Sequence, residues 1–188
     1  MPPKPTRAGY APPPYPKVYL APALVLLLGQ VIVGAAVYPR LPGELPVHFS
    51  GPGTVTATAA TGPLTALGPV LVGAGVLLLL AFSAALVLRT VPEDRLVDFP
   101  DADRTPLSAF VNRPADRADA VTGARSVLLT AGIVQGVFAL VCAAVWFPER
   151  VGASAWFFPA VLVLCAASVL PVIAVRLLRR SGSAKQVL

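Results

Sequence analysis

Apolar residues occur in four long runs, and every charged residue except Arg176 lies outside them. The runs cover residues 18–38, 64–88, 126–147 and 155–178. At a rise of about 1.5 Å per residue, each run forms a helix long enough to cross a hydrocarbon core of roughly 30 Å. The pattern therefore predicts a polytopic transmembrane bundle of four helices.

Composition supports a helical rather than a barrel fold. The chain has a hydrophobic content of 56% and a mean hydropathy of +0.75, so the lipid bilayer is its expected surrounding. Because lipid cannot satisfy backbone hydrogen-bonding groups, the spans must be helices, and the alternating ten-residue strands of an outer-membrane barrel are absent from the sequence. The predicted fold class is all-α.

The four runs divide the chain into five segments. They are a proline-rich tail at 1–17, helices 1 and 2 with their outer loop at 18–88, a loop at 89–125, a hairpin of helices 3 and 4 at 126–178, and a basic tail at 179–188. The outer loop, at 39–63, is rich in proline and glycine. Its alternating stretch from Thr54 to Thr58 predicts a short strand or hairpin. Helix formers replace the prolines at 115–125, so helix 3 is expected to begin before the membrane.

Basic residues are distributed unevenly between the segments. Thirteen Lys and Arg residues lie in the two tails, in the 89–125 loop and, with Arg176, at the end of the fourth run, whereas the other two loops carry one each, Arg40 and Arg150. The positive-inside rule then places both termini and the 89–125 loop in the cytoplasm and the 39–63 loop outside. Since topology accounts for the net charge of +6, we expect no nucleic-acid partner.

The predicted location is the plasma membrane, crossed several times. Arg outnumbers Lys, and Ala, Val, Leu, Gly and Pro dominate the chain. That composition suggests a GC-rich bacterial source.

The polar residues of the spans do not form a recognisable catalytic set. The chain has a single His, no acid within a span, and neither an HExxH nor a GxSxG motif. We therefore expect no enzyme activity, no metal and no cofactor. The deepest polar residues are instead expected to form hydrogen bonds between helices. They are Gln30, Ser83, Thr130, Gln135 and Ser168.

Several apolar positions carry packing expectations. Gly132 and Gly136 form a GxxxG pattern on helix 3, where another helix could approach closely, either from this chain or from a second membrane protein or copy. Pro171 should kink helix 4, with Ser168 satisfying part of the freed backbone. An aromatic belt is expected around the turn between helices 3 and 4, at Trp146, Phe147, Trp156, Phe157 and Phe158.

The outer loop carries the one distinctive motif of the sequence. Leu41-Pro42 is followed by Pro46-Val47-His48-Phe49 and then by Gly53. This pattern between two spans resembles the membrane family catalogued as domain of unknown function 1648, and the resemblance covers about residues 20–85. The family usually continues with Asn after His-Phe and with Pro-Asp after the glycine, where this chain has Ser50 and Thr54-Val55-Thr56.

The resemblance implies a bacterial membrane protein without catalysis. Because the family includes immunity and signalling proteins of the SdpI type, it implies sensing or neutralisation of an external peptide. The candidate binding residues are Pro46, His48, Phe49 and Gly53. His48 could instead be structural, sense pH, or ligate a metal together with Glu44. The alternative function is an accessory subunit, docked through Gly132 and Gly136 on a larger transporter or cell-envelope complex.

Overall fold

The computed structural model describes residues 10–50, 54–99, 113–152 and 154–184. The helices are α1 (Ala21–Val37), α2 (Pro63–Arg89), α3 (Arg117–Trp146) and α4 (Phe157–Ala184), and the strands are β1 (Glu44–Phe49) and β2 (Val55–Ala60). Short 3₁₀ turns at Lys17–Tyr19 and Tyr38–Arg40 extend α1 at both ends. A further 3₁₀ turn follows α2 at Glu93–Arg95, and a π turn at Pro148–Gly152 separates α3 from α4.

Four helices of the described chain are long and apolar enough to cross a membrane. Many of the large hydrophobic side chains of α1, α2 and α4 are exposed, as expected where lipid is the surrounding medium. The predicted four-helix transmembrane bundle is confirmed. The predicted short strand or hairpin is also present, because β1 and β2 form an antiparallel two-stranded sheet between α1 and α2. This sheet is an addition to the predicted all-α class.

Helix α3 begins at Arg117, well before the apolar run at 126–147, as the change of composition at 115–125 predicted. Two aspartates fix its start. The Asp116 carboxylate accepts from the backbone N–H of Asp119 at 2.8 Å, and the Asp119 carboxylate accepts from the N–H of Ala115 at 2.8 Å. Asp116 is thus the N-cap of α3, and it satisfies one of the backbone donors that a helix leaves unpaired at its start.

Two segments near the ends of the chain have structure outside the four predicted spans. The described part of the proline-rich tail, residues 10–16, lies against the bundle, and the Tyr15 hydroxyl donates to the carbonyl of Ala81 in α2 at 3.1 Å. At the other end, α4 continues to Ala184, so the first part of the predicted tail at 179–188 is helical. Residues 1–9 and 185–188 lie outside the described residues.

Helix α3 is the centre of the bundle, since α1, α2 and α4 all pack against it. Close helix approaches occur at two glycines outside the predicted GxxxG pattern. A Cβ atom on Gly34 of α1 would lie 2.9 Å from the Trp146 ring, and one on Gly73 of α2 would lie 2.9 Å from Oε1 of Gln135. Both distances are shorter than real Cβ contacts, so a side chain at either position would force its neighbour to shift.

The GxxxG glycines of α3 have more room. A Cβ on Gly132 would lie 3.7 Å from Pro22 of α1, and one on Gly136 would lie 3.8 Å from Leu164 of α4. These are ordinary van der Waals distances, and the two glycines face different helices of the same chain.

Only part of the predicted interhelical hydrogen bonding is present. The Gln30 amide donates to the carbonyl of Gln135 at 3.3 Å, and Thr130 donates to the carbonyl of Ser168 at 3.0 Å. The hydroxyls of Ser83 and Ser168 instead donate within their own helices, to Leu79 and Cys165. The expectation that Ser168 satisfies the backbone freed by Pro171 was therefore wrong, because the short serine side chain reaches a nearer carbonyl.

Alanine substitution should distinguish the glycines in tight helix contacts from those with room for a Cβ atom. We expect Gly34→Ala to lower stability by about 1 to 3 kcal/mol, because the Trp146 ring is held by a hydrogen bond and cannot move aside freely. Gly136→Ala, the matched control in a spacious contact, should change stability by less than about 0.5 kcal/mol. Unfolding of the purified chain in detergent would measure both, and equal losses would contradict this description of the packing.

Candidate functional site

The strands β1 and β2 form an irregular hairpin at one end of the bundle. Glu44 pairs with Ala60, Leu45 with Ala59 and Pro46 with Thr58, after which the register shifts twice so that His48 pairs with Ala57 and Phe49 with Val55. Beyond Phe49, the N–H of Ser50 donates to the carbonyl of Thr54 at 2.8 Å. The shifts are β-bulge irregularities, which re-aim side chains relative to a regular strand.

Leu45 anchors the hairpin in the bundle. Its side chain is fully buried in a cluster with Ala66 and Val70 of α2 and Cys142 and Trp146 of α3. The Trp146 indole N–H donates to the carbonyl of Ala66 at 2.8 Å. The hairpin is therefore attached to α2 and α3 through one apolar side chain, which packs against the Trp146 ring.

Phe49 makes a second attachment. Its ring centroid lies 6.0 Å from that of Phe157, the first residue of α4, with the rings inclined at 52°. Trp146 and Phe157 are each only 6% exposed. They belong to the protein interior and not to the predicted aromatic belt, whereas the rings of Phe147, Trp156 and Phe158 are exposed.

The outer face of the hairpin is open. His48 is exposed, and Val47 beside it is 52% exposed. All residues of β2 except the half-buried Ala59 are exposed as well. Since β1 is the strand that contacts α2 and α3, β2 faces away from the bundle. The composition of β2, Val-Thr-Ala-Thr-Ala-Ala, includes no charge or proline of the kind that blocks further strand pairing.

Hydrogen bonds between the strands involve the polar residues around His48. Thr58 donates to the Glu44 carboxylate at 2.7 Å, and Thr56 donates to the His48 carbonyl at 3.4 Å. Thr61 donates to the Pro42 carbonyl at the base of the hairpin. Within the described residues, no group of three His, Cys, Asp or Glu side chains is placed to hold a metal ion.

A cleft of about 380 Å³ lies at the same end of the bundle, at the base of the hairpin. Pro42 forms one wall, and the segment from Trp146 to Arg150 forms the other. This cleft was not predicted from the sequence. The sequence feature that pointed to it was the cluster of aromatic residues and prolines around the turn between the third and fourth helices. That Pro42 lies opposite this turn depends on tertiary packing.

The predicted binding residues have different environments. Pro46 is buried, Phe49 packs on Phe157, and His48 is exposed. Gly53 lies outside the described residues. Gly132 and Gly136 lie within the bundle on α3, away from the hairpin, so the hairpin end and the glycine pair are two separate surfaces.

The opposite end of the bundle carries most of the described basic side chains. Arg89 ends α2, Arg117 begins α3, and the Arg125 guanidinium lies 5.4 Å from the centre of the Tyr19 ring, which is a cation–π contact. The hairpin end carries Arg40 and Arg150. The fold thus separates the charges between the two ends in the way that the loop counts indicated.

The fold and the hairpin define a multi-pass helical membrane protein with a small β-hairpin mounted on one end. The family model described as domain of unknown function (DUF1648) matches residues 25–73, about a quarter of the chain. The match covers most of α1, the whole hairpin and the first part of α2, and it confirms the resemblance of residues 20–85. This helix, hairpin and helix unit is therefore similar to that family. Searches of curated proteins and of solved structures found no match.

The attachment of the hairpin can be tested with two neighbouring substitutions. Leu45→Ala should cost about 2 to 5 kcal/mol of stability, because it leaves a cavity beside Trp146, and should increase amide hydrogen exchange in β1 and β2. Val47→Ala removes an exposed side chain of similar size and should leave both properties nearly unchanged. If exchange in the hairpin is as slow in Leu45→Ala as in Val47→Ala, Leu45 is not the anchor.

Proposed function

We propose that this protein is a non-enzymatic membrane protein that binds an external peptide ligand through its hairpin end, as an immunity-like or sensing protein would. The observation that carries the proposal is the asymmetry of the hairpin. Leu45 is fully buried in the bundle core, whereas His48, three residues along the same strand, is exposed. A rigidly held strand with an open polar face loses little conformational freedom when a ligand binds.

The open edge of β2 favours an extended peptide as the ligand. Backbone N–H and C=O groups on an unpaired strand edge can pair with an added strand, and the side chains then supply specificity. His48 supplies a hydrogen-bonding imidazole on the neighbouring strand. The cleft at Pro42 and Trp146 offers an adjoining apolar surface, with Glu149 and Arg150 providing both signs of charge.

The proposal requires the hairpin end to face outward. The separation of basic residues supports this orientation, since the end opposite the hairpin holds the larger share and the positive-inside rule places that end in the cytoplasm. The proposed location is accordingly the plasma membrane of a bacterium.

Labelling of single added cysteines would determine the orientation. Ala57→Cys in β2 and Val97→Cys beyond α2 introduce thiols at exposed positions on opposite ends. We expect a membrane-impermeant maleimide to label Ala57→Cys in intact cells and Val97→Cys only after permeabilisation. The unsubstituted chain, with Cys142 and Cys165 in its spans, is the background control. The reverse labelling pattern would show an inverted bundle and remove the basis for an external ligand.

Photocrosslinking from the hairpin would test ligand binding itself. A photoreactive amino acid replacing Thr56 should form an adduct in native membranes, and His48→Ala should reduce its yield by about fivefold or more if the imidazole contacts the ligand. Arg40→Ala, at the base of the outer loop, is the matched control and should leave the yield unchanged. The yields would be measured by mass spectrometry of the purified full-length chain.

Two results would count against the proposal. An adduct that forms equally in His48→Ala contradicts the role of His48. Adducts that form only from a lipid-facing position, such as Leu162 of α4, and not from Thr56, would favour the accessory-subunit function instead.

A further inference from the structure

A second candidate site lies at the end of the bundle opposite the hairpin. Three separate segments enclose a pocket of about 240 Å³: the stretch that precedes α1, the stretch that follows α2, and the first residue of α3. Its lining includes Tyr10, Pro92, Asp94, Arg95, Phe99 and Arg117. We refer to it as the Tyr10 pocket. It is independent of the function proposed for the hairpin.

The walls of the Tyr10 pocket are held by contacts between these segments. The N–H groups of Glu93 and Asp94 donate to the carbonyls of Pro114 and Ala115 at 3.0 and 3.2 Å. The rings of Tyr10 and Phe99 meet edge to face, with centroids 6.0 Å apart. The pocket is therefore formed by an ordered junction of the chain and not by a single loop.

The lining presents hydrogen-bond donors suited to an anion. The Tyr10 hydroxyl is shielded from solvent and has no hydrogen-bond partner among the described residues. Arg117 has no ion-pair partner within the described part of the chain, while Arg95 makes a 3.4 Å contact with Asp98 that leaves other guanidinium N–H groups available. Two guanidinium groups and a hydroxyl donor match the several acceptor oxygens of a phosphate group.

The charge state of Tyr10 is consistent with a donor role. Burial raises the pKa of its phenol, and this effect exceeds the opposing influence of Arg117. The hydroxyl accordingly remains protonated at neutral pH and can donate a hydrogen bond.

The remaining lining indicates what else the ligand carries. Asp94 accepts hydrogen bonds only, so it suits hydroxyl or amino groups on the ligand, and the rings of Tyr10 and Phe99 suit a flat or apolar portion. The volume exceeds the need of a bare inorganic ion. We propose that the Tyr10 pocket binds a small, soluble phosphorylated compound that also carries hydroxyl or amino groups.

The position of the pocket favours a soluble compound over a lipid headgroup. Arg125 is the last charged residue of α3 before the apolar run and marks the edge of the hydrocarbon core. Arg117 lies eight positions earlier on the same helix, which corresponds to about 12 Å along the axis. The headgroup layer on each side of a bilayer is roughly 5 to 8 Å thick. A helix crossing near the membrane normal places the pocket beyond that layer.

The test uses the full chain in nanodiscs of zwitterionic phosphatidylcholine, titrated calorimetrically with ribose 5-phosphate and with adenosine 5′-monophosphate. Adenosine serves as the phosphate-free match. We expect saturable binding of at least one phosphorylated probe and none of adenosine. Arg117→Gln should weaken binding by about 10- to 100-fold, since a charged hydrogen bond is lost.

Two further variants show whether weaker binding reflects a lost contact in the pocket and not a loss of folding. Arg89→Gln removes the same charge at the same end of the bundle but outside the pocket, and its affinity should match that of the unchanged chain. Tyr10→Phe removes one hydroxyl while keeping the ring contact with Phe99, and should weaken binding by about 3- to 10-fold without lowering the melting temperature of the unliganded protein.

The proposal is overturned if neither phosphorylated probe binds, or if Arg117→Gln and Arg89→Gln bind equally well. It is also overturned if the soluble probes fail while phosphatidylglycerol in the nanodisc raises the melting temperature in a manner that depends on Arg117. That last result would assign the phosphate chemistry of the pocket to a lipid headgroup.

Discussion

The position of the Trp146 indole is the constraint on which the hairpin end of this molecule depends. Its ring lies so close to Gly34 that a side chain at that position of α1 would force the ring to shift. Its N–H is bonded to the Ala66 carbonyl of α2, and its apolar surface receives Leu45 from β1. One side chain of α3 thus determines how two other helices and the hairpin are placed. In a bilayer, where lipid competes with protein for every apolar contact, close packing of this kind and a shielded hydrogen bond hold helices together.

The two ends of the bundle are built on different chemistry. The hairpin end combines a buried apolar anchor on β1 with the exposed and uncharged strand β2, so it presents backbone groups of β2 and the imidazole of His48 on β1 to its surroundings. The opposite end gathers arginines, aspartates and tyrosines in ordered extramembrane turns, including the Asp116 N-cap of α3 and the cation–π contact of Arg125. The bundle between them contains few polar groups, among which the Gln135 amide is buried without a hydrogen-bond partner among the described residues.

Much of the fold could be predicted from the sequence, but less of the candidate site. The four spans, the early start of α3 and a short strand in the outer loop followed from apolar run length, proline placement and alternation. The prediction located the Pro46 to Phe49 motif without distinguishing the buried Pro46 from the exposed His48, because the bulged register decides which side chains face the bundle. The same limit applies to the glycines: a GxxxG spacing was visible at Gly132 and Gly136, whereas the tight contacts occur at Gly34 and Gly73.

The sequence by itself determined the medium, the number of spans and the separation of charge between the two ends, because these follow from the cost of placing polar groups in lipid, which is summed over local stretches of chain. Only the tertiary structure decided that Trp146 faces the core, that Leu45 anchors the hairpin, and that Tyr10, Arg95 and Arg117 share a pocket. Those arrangements depend on which helix faces meet. In a chain whose spans are apolar on every side, hydrophobic periodicity does not distinguish one helix face from another. Shape complementarity and a few hydrogen bonds therefore determine which faces pack together.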